Sequence, residues 1–281
     1  MKLSILNLLM LTGCLLAGEK PLEIQLVSEV SAVQPGKPFY VALALHHAPG
    51  FHTYWKQSGI VGVPTQMKWE NLPPGWTAGE IEWPEPERTH MYTTAAQGYE
   101  RDVLLPMRLT PPVDLAPGTT VTLGGQAAWM CCGSQCNPGF LSLQISLPVT
   151  AAAEPQVDEQ WREKIAKELA HTVSEADTWK TQLALTSTEL QLTLIPASGA
   201  RPLQDSEVKT FIYFTEDGVV DSSKPQEMRL SAEGHLQLRL SRADAIAGGM
   251  PEKYISGVIV RPGGWNLDGS VRAMRIKGSY R

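Results

Sequence analysis

At 281 residues the chain can form one large domain or two of ordinary size, and 43% hydrophobic against 19% charged residues excludes a disordered chain. A net charge of −5 without any Lys/Arg run argues against nucleic acid or an anionic membrane surface as partner. Beyond the N-terminus no apolar run reaches the roughly 18–20 residues of a membrane helix.

Met1-Lys2 followed by Leu3 to Leu16 reads as a short export signal, assigned to residues 1–18. Two endings fit it. Cleavage near Ala17-Gly18 frees the mature chain, whereas Leu11-Thr12-Gly13-Cys14 resembles a lipobox in which Cys14 carries a lipid anchor. Either route takes the remaining cysteines out of the reducing cytosol, into a compartment such as the periplasm where disulfides persist.

From Leu22 to Val149 short apolar runs are broken by Pro and Gly. Glu23 to Val30 alternates apolar and polar, Gln34-Pro35-Gly36-Lys37-Pro38 turns, and Phe39 to Leu45 is a second strand. Val103 to Leu109, Thr119 to Leu123, Gln126 to Cys132 and Leu141 to Val149 follow. Repeated short strands without a helical period predict an all-β sandwich over residues 19–150. The aromatic segment from Phe51 to Tyr99 is too irregular to be strand throughout and is expected to cover one end of the sandwich, where binding loops gather.

Three of the four cysteines fall in the stretch Ala127 to Gly139. Strand alternation puts Cys131 on one face with Trp129, and Cys132 on the other with Met130 and Ala128. A strand end and a tight turn at Gly133-Ser134 can bring Cys132 and Cys136 within disulfide range, about 4.4–6.8 Å between α-carbons. The simplest arrangement is a solvent-facing pair on a loop with Cys131 turned inward. Such a pair can exchange disulfides, can be a fixed staple, or can join Cys131 and a histidine in a soft site for Cu(I) or Zn. So short a bridge removes little unfolded-chain entropy, which weakens the staple. The spacing matches no standard zinc pattern, and His46, His47, His52 and His90 are more simply structural. There is no phosphate-binding glycine loop, no Gly-x-Ser-x-Gly elbow and no Cys-x-x-Cys opening a βαβ helix, so hydrolase chemistry and a thioredoxin fold have no support.

Residues 151–178 change character. Ala151 to Pro155 is a linker, after which Trp161, Ile165, Leu169 and Val173 fall four apart on one face of an amphipathic helix of about four turns. From residue 179 to 281 the β-pattern resumes with Leu183/Leu185 and Leu190/Leu192/Leu194, Lys209 to Phe214, a hairpin of Met228 to Leu230 and Leu236 to Leu240 about Glu233-Gly234, and Tyr254 to Val260 with Val271 to Ile276 about Pro262-Gly263-Gly264. This second β-domain has no cysteine, so redox or thiol chemistry belongs to the first.

Gly50-Phe51-His52-Thr53-Tyr54-Trp55-Lys56 with Gly59, Gly62 and Pro64 resembles a signature of the N-terminal periplasmic region of the thiol:disulfide interchange protein DsbD family, in its ScsB-like branch. Trp83-Pro84-Glu85-Pro86, Gly98-Tyr99-Glu100 and Trp129-Met130-x-Cys132-x-x-x-Cys136-x-Pro138-Gly139 are similar to it as well, and Phe211 to Phe214, Asp217-Gly218, Pro225-Gln226 and Gly257 resemble the second β-domain of that branch. The resemblance implies two tandem immunoglobulin-like β-sandwich domains joined by the helix. It implies catalytic cysteines at Cys132 and Cys136, cycling between dithiol and disulfide without a cofactor or metal. Cys131, an auxiliary thiol, is extra relative to the family pattern and would compete for the bridge, ligate a metal or, most simply, be a buried spectator. The partners it implies are a membrane-embedded thiol reductase as donor and thioredoxin-like periplasmic proteins as clients. In the family a cap loop shields the pair, and here Thr89 to Thr94 or Tyr99 would serve, with Met91, Tyr92 and Tyr99 as covering or partner-contacting side chains. The full-length family continues into transmembrane and thioredoxin-like domains, so the reductant is expected to be a separate protein. The competing expectation is a non-catalytic copper- or partner-binding sandwich with a structural disulfide.

Overall fold

The computed structural model describes residues 20–243 and 254–279, so the expected export segment with Cys14 lies outside the described residues. The first sandwich is built from β1 (Leu22–Ser28), β2 (Phe39–His47), β3 (Thr53–Tyr54), β4 (Gln66–Trp69), β5 (Thr77–Ile81), β6 (Glu87–Met91), β7 (Thr94–Tyr99), β8 (Val103–Thr110), β9 (Thr120–Cys132) and β10 (Cys136–Pro148). One sheet has the order β1-β2-β8-β5, a second β10-β9-β4, and a small third β3-β7-β6, with antiparallel pairing throughout. Alternation explains the stacking. Val41, Leu43 and Leu45 of β2, Val103, Leu105, Met107 and Leu109 of β8, and Val121, Leu123, Ala127 and Cys131 of β9 point inward into one core. Each fully buried Leu or Val there contributes about 1.5–3 kcal/mol.

The other face of the first sheet is small and apolar. Val27, Ala42, Ala44 and Leu104 receive helix α1 (Arg162–Ala170) through Ile165, with Trp161 and Leu169 flanking. Before the helix, Asp158 accepts the backbone N–H groups of Gln160 and Trp161 on its carboxylate. Arg101 grips Glu168 with both terminal nitrogens, at 2.7 and 3.2 Å, tying the helix to the start of β8. The helix has nine residues instead of the four turns expected, because the chain turns at His171 and Val173 leaves the helical face to pack at the junction of the two sandwiches.

The second sandwich comprises β11 (Trp179–Leu185), β12 (Glu189–Pro196), α2 (Asp205–Val208), β13 (Tyr213–Thr215), β14 (Glu227–Leu230), β15 (Leu236–Ser241), β16 (Tyr254–Val260) and β17 (Ala273–Ser279). Its sheets have the orders β11-β12-β15-β14 and β13-β16-β17. The hairpin of β14 and β15 pairs Leu230 with Leu236, as the turn at Glu233-Gly234 requires. Lys209 to Phe214 is not a continuous strand. Gln204 and Glu207 form a capping box that starts a short helix, and β13 begins only at Tyr213.

The two sandwiches share apolar packing. Tyr213, Ile255, Ile259, Met274 and Ile276 face the second core, whereas Phe214, Val258 and Ala273 of the same sheet join the core of the first sandwich. The sheet β13-β16-β17 is therefore covered on both faces. Glu85 pairs with Arg272 at 2.7 Å, and Lys56 with Glu216, across the same junction.

Candidate functional site

The segment from Phe51 to Tyr99, too irregular in sequence to be strand throughout, carries the short strands β3 to β7 with loops between them. These strands are only two to six residues long, and the small sheet in which β7 pairs with both β3 and β6 builds the wall beside the cysteines. His52 exchanges both backbone hydrogen bonds with Cys132, N–H to C=O at 2.9 and 2.8 Å. The backbone polar groups of Cys132 thus point toward His52 and away from β10. Its β10 partner Cys136 is consequently in a non-hydrogen-bonded cross-strand position, where side chains approach most closely. The three residues Gly133-Ser134-Gln135 close the hairpin, with the Gly133 N–H on the Gln135 carbonyl at 2.9 Å. In that position Cys132 and Cys136 form a disulfide with their α-carbons 4.0 Å apart.

The two sulfurs have different surroundings. Cys136 is exposed at the first position of β10, but Cys132 is fully buried in a cluster with Tyr54 and Ala96, against which Val61, Met91 and Met130 pack. The expected pair of solvent-facing thiols is therefore half right. Cys132 belongs to the strand and lies under the β6–β7 hairpin and the loop after β3, whereas Cys136 opens to solvent. Gly62, at φ +92°, lets that loop close over Tyr54, since a β-carbon there would stand 2.1 Å from the ring.

The sequence-predicted covering residues divide. Met91 lies against the Cys132 cluster, and Tyr92 follows it at the tip of the β6–β7 hairpin, exposed and with φ 56°. Tyr99 is elsewhere. It sits at the far end of β7 from the tip, wholly buried in the sandwich core, with its hydroxyl donating to the Pro84 carbonyl at 2.9 Å. It is a core residue and covers nothing.

Cys131 points to the other face of β9, into the main core, and its thiol is 3.5 Å from the Pro21 carbonyl. Burial pushes this thiol up to about 11, so it stays protonated at neutral pH. Because Cys131 and Cys132 diverge across the strand and Cys132 is bonded to Cys136, the three sulfurs do not converge on a common metal position. The histidines are structural in different ways. His47 is buried, its Nδ1 on the Arg101 carbonyl at 2.9 Å and its Nε2 on the Thr53 hydroxyl at 3.0 Å, and burial brings it down to about 4. His46 is exposed on Asp102. His52 stands edge-on to Tyr54 with centroids 5.1 Å apart, and burial, with the charge of His90, lowers its pKa. Burial likewise raises Tyr54. The Tyr54 hydroxyl and His52 Nε2 are both buried without a hydrogen-bond partner.

Sequence reasoning missed Tyr54, Val61 and Ala96 as the wall of the site. A β-run as short as Thr53–Tyr54 carries too few residues for alternation to register, and only the pairing with β7 reveals it.

The arrangement is a cross-strand disulfide at a hairpin tip on a rigid frame, one sulfur-bearing residue exposed and the other sealed. The family described as "Thiol:disulfide interchange protein DsbD, N-terminal" matches residues 21–152. A comparison with curated protein sequences yields no match. Among solved structures, the N-terminal periplasmic domain of ScsB from Proteus mirabilis aligns with a TM-score of 0.63 at 17% identity, over 93% of this chain and 95% of that one, a likeness in fold. A protein of unknown function from Porphyromonas gingivalis W83 (TM-score 0.24, 12% identity, 93% and 100% coverage) and a marsupial T cell receptor (TM-score 0.22, 10% identity, 94% and 99%) are too distant to bear on the fold.

Proposed function

We propose that the chain is a thiol–disulfide exchange module working through Cys132 and Cys136, a reading supported by the match of residues 21–152 to the family of DsbD N-terminal domains. The observation that carries this reading is the asymmetry of the pair: Cys136 is exposed at the hairpin tip while Cys132 is sealed behind it. In the reduced form the Cys136 thiolate attacks a client disulfide, one client sulfur leaves as thiolate, and a mixed disulfide forms. The Cys132 thiolate then attacks the Cys136 sulfur, the second client sulfur leaves, and two electrons and two protons have passed to the client. The chain is left in the disulfide form described above. A donor dithiol resets it: one donor thiolate attacks Cys136 and expels Cys132, and the second donor thiolate then attacks the first donor sulfur, releases Cys136 and leaves the donor as a disulfide.

In this reading the donor is a membrane-embedded thiol reductase and the clients are thioredoxin-like proteins outside the cytosol. The chain is exported, and Cys14 is available as a lipid anchor. Met91 and Tyr92 at the β6–β7 tip are the cap and the first contact for a partner. Among the described residues no helix is long and apolar enough to cross a membrane.

The test is stoichiometric electron transfer. The reduced chain is mixed with an oxidised thioredoxin-fold protein, and free thiols on both are counted by mass after an acid quench. Loss of two thiols from the chain and gain of two on the partner supports the proposal, with Cys136→Ser abolishing both. Thiols that stay where they began overturn it.

A further inference from the structure

The sealed side of the site rests on the second sandwich. Gln97 of β7 is almost wholly buried, and its side-chain amide behaves like a piece of strand: Oε1 accepts the Thr215 N–H at 2.7 Å, and Nε2 donates to the carbonyls of Thr215 at 2.9 Å and Gln57 at 2.6 Å. Its neighbour Ala96 is one of the residues that enclose Cys132. Beside it the Lys56 ammonium reaches Glu216, a carboxylate also held by Ser256 and Arg275. Burial alone would raise the pKa of Glu216, but these donors hold it below the ordinary carboxylate range, so this carboxylate is ionised at neutral pH. The Ser222 hydroxyl donates to the Ala95 carbonyl at 3.4 Å, and Gly59, at φ +89°, passes so close to Ser222 that a β-carbon would be 2.3 Å from its oxygen. The stretch from Thr215 to Ser222 is thus fastened to β7 and to the loop after β3, and those same elements carry Tyr54, Val61, Ala96 and Met91 against Cys132.

We propose that the second sandwich is a clamp for the wall that covers Cys132, with Gln97 as its positioning residue, so that contacts between the sandwiches set how fast the Cys132–Cys136 pair exchanges. The inference rests on the exchange role proposed above. Buried side-chain hydrogen bonds to the backbone hold the wall closed, and local opening of that wall precedes both the departure of the sealed Cys132 sulfur as thiolate and its return attack on Cys136. Gln97 touches neither sulfur, so releasing it speeds opening for the forward and reverse reactions alike and leaves their ratio unchanged.

The experiment uses the full chain as wild type, Gln97→Leu, Lys56→Met and, as a control, Glu207→Gln. The control weakens the second sandwich at Arg261, away from the clamp. Second-order rates are measured for reduction by dithiothreitol and for reoxidation by glutathione disulfide, together with the equilibrium between them. Gln97→Leu should accelerate both directions by about tenfold, the scale of losing buried hydrogen bonds, with the equilibrium within about twofold of wild type and Glu207→Gln at the wild-type rates. Should Gln97→Leu not fold, Lys56→Met decides with the same signs. Unchanged rates in a folded clamp variant overturn the clamp, and so does equal acceleration in Glu207→Gln. A wild-type disulfide that dithiothreitol cannot open at all overturns the exchange role itself, so the two failures are distinct.

Discussion

Replacing His47 by glutamine should flatten the acid side of the stability profile. The ring is buried between the Arg101 carbonyl and the Thr53 hydroxyl, which suits a neutral imidazole donating from Nδ1 and accepting at Nε2. Burial lowers its pKa from 6.5 to about 4, against the opposing pull of the Arg101 carbonyl and Asp102. Over that interval the unfolded chain holds the proton more tightly than the folded one. Its contribution to stability is therefore complete above pH 6.5 and is lost as the pH falls toward 4. At 1.36 kcal/mol for each tenfold change, the full loss is about 3 kcal/mol, of which about 2 kcal/mol is gone by pH 5. His52, lowered by its own burial, adds in the same direction. Urea unfolding at pH 7 and pH 5 measures this directly: the wild type should lose about 2 kcal/mol more between the two than His47→Gln does. Equal losses would refute the claim that the neutral ring is what the fold requires.

The cysteines should behave unequally toward a small disulfide such as oxidised glutathione. Cys132→Ser forms a mixed disulfide through exposed Cys136, and Cys136→Ser, left with the sealed sulfur, reacts at least about tenfold more slowly, as peptide mass mapping against time will record. Cys131, raised to about 11 and buried, should resist iodoacetamide at pH 8 in the folded, reduced protein and label only in denaturant, and Cys131→Ala should leave the exchange rate of the pair within about twofold. Gly62→Ala forces a side chain into a left-handed position against the Tyr54 ring, and should cost about 1–3 kcal/mol from the backbone alone, measurable by urea unfolding.

Leu236 to Leu240 was legible by clean alternation on one buried face, because period-two burial is a local property, and Phe39 to Leu45 was legible as a short unbroken apolar run, buried on both faces. Thr119 to Leu123 and Gln126 to Cys132 proved to be one strand, continuous through Gly124-Gly125, since pairing with β10 overrides the weak strand preference of glycine. The junction between the sandwiches left a signal that alternation rules pass over: Val258-Ile259-Val260 is an unbroken apolar run, which is what burial on both faces produces. The opposite faces of Cys131 and Cys132 followed from the pleat alone. The sealing of Cys132 did not, because it depends on Met91, Val61 and Ala96 arriving from sequence-distant elements. Tyr99 was misread for the same reason: its distance from the hairpin tip is fixed by the pairing of β7 with β3 and β6, not by its place in the sequence.

A redox titration of the purified chain against reduced and oxidised glutathione, with the Cys132–Cys136 bond counted by mass after thiol alkylation, tests the central claim most directly. A reversible midpoint within the span of exchanging pairs, about −180 to −270 mV, is the result this account predicts. A bond that persists to potentials below about −300 mV, the range of fixed structural disulfides, would contradict it.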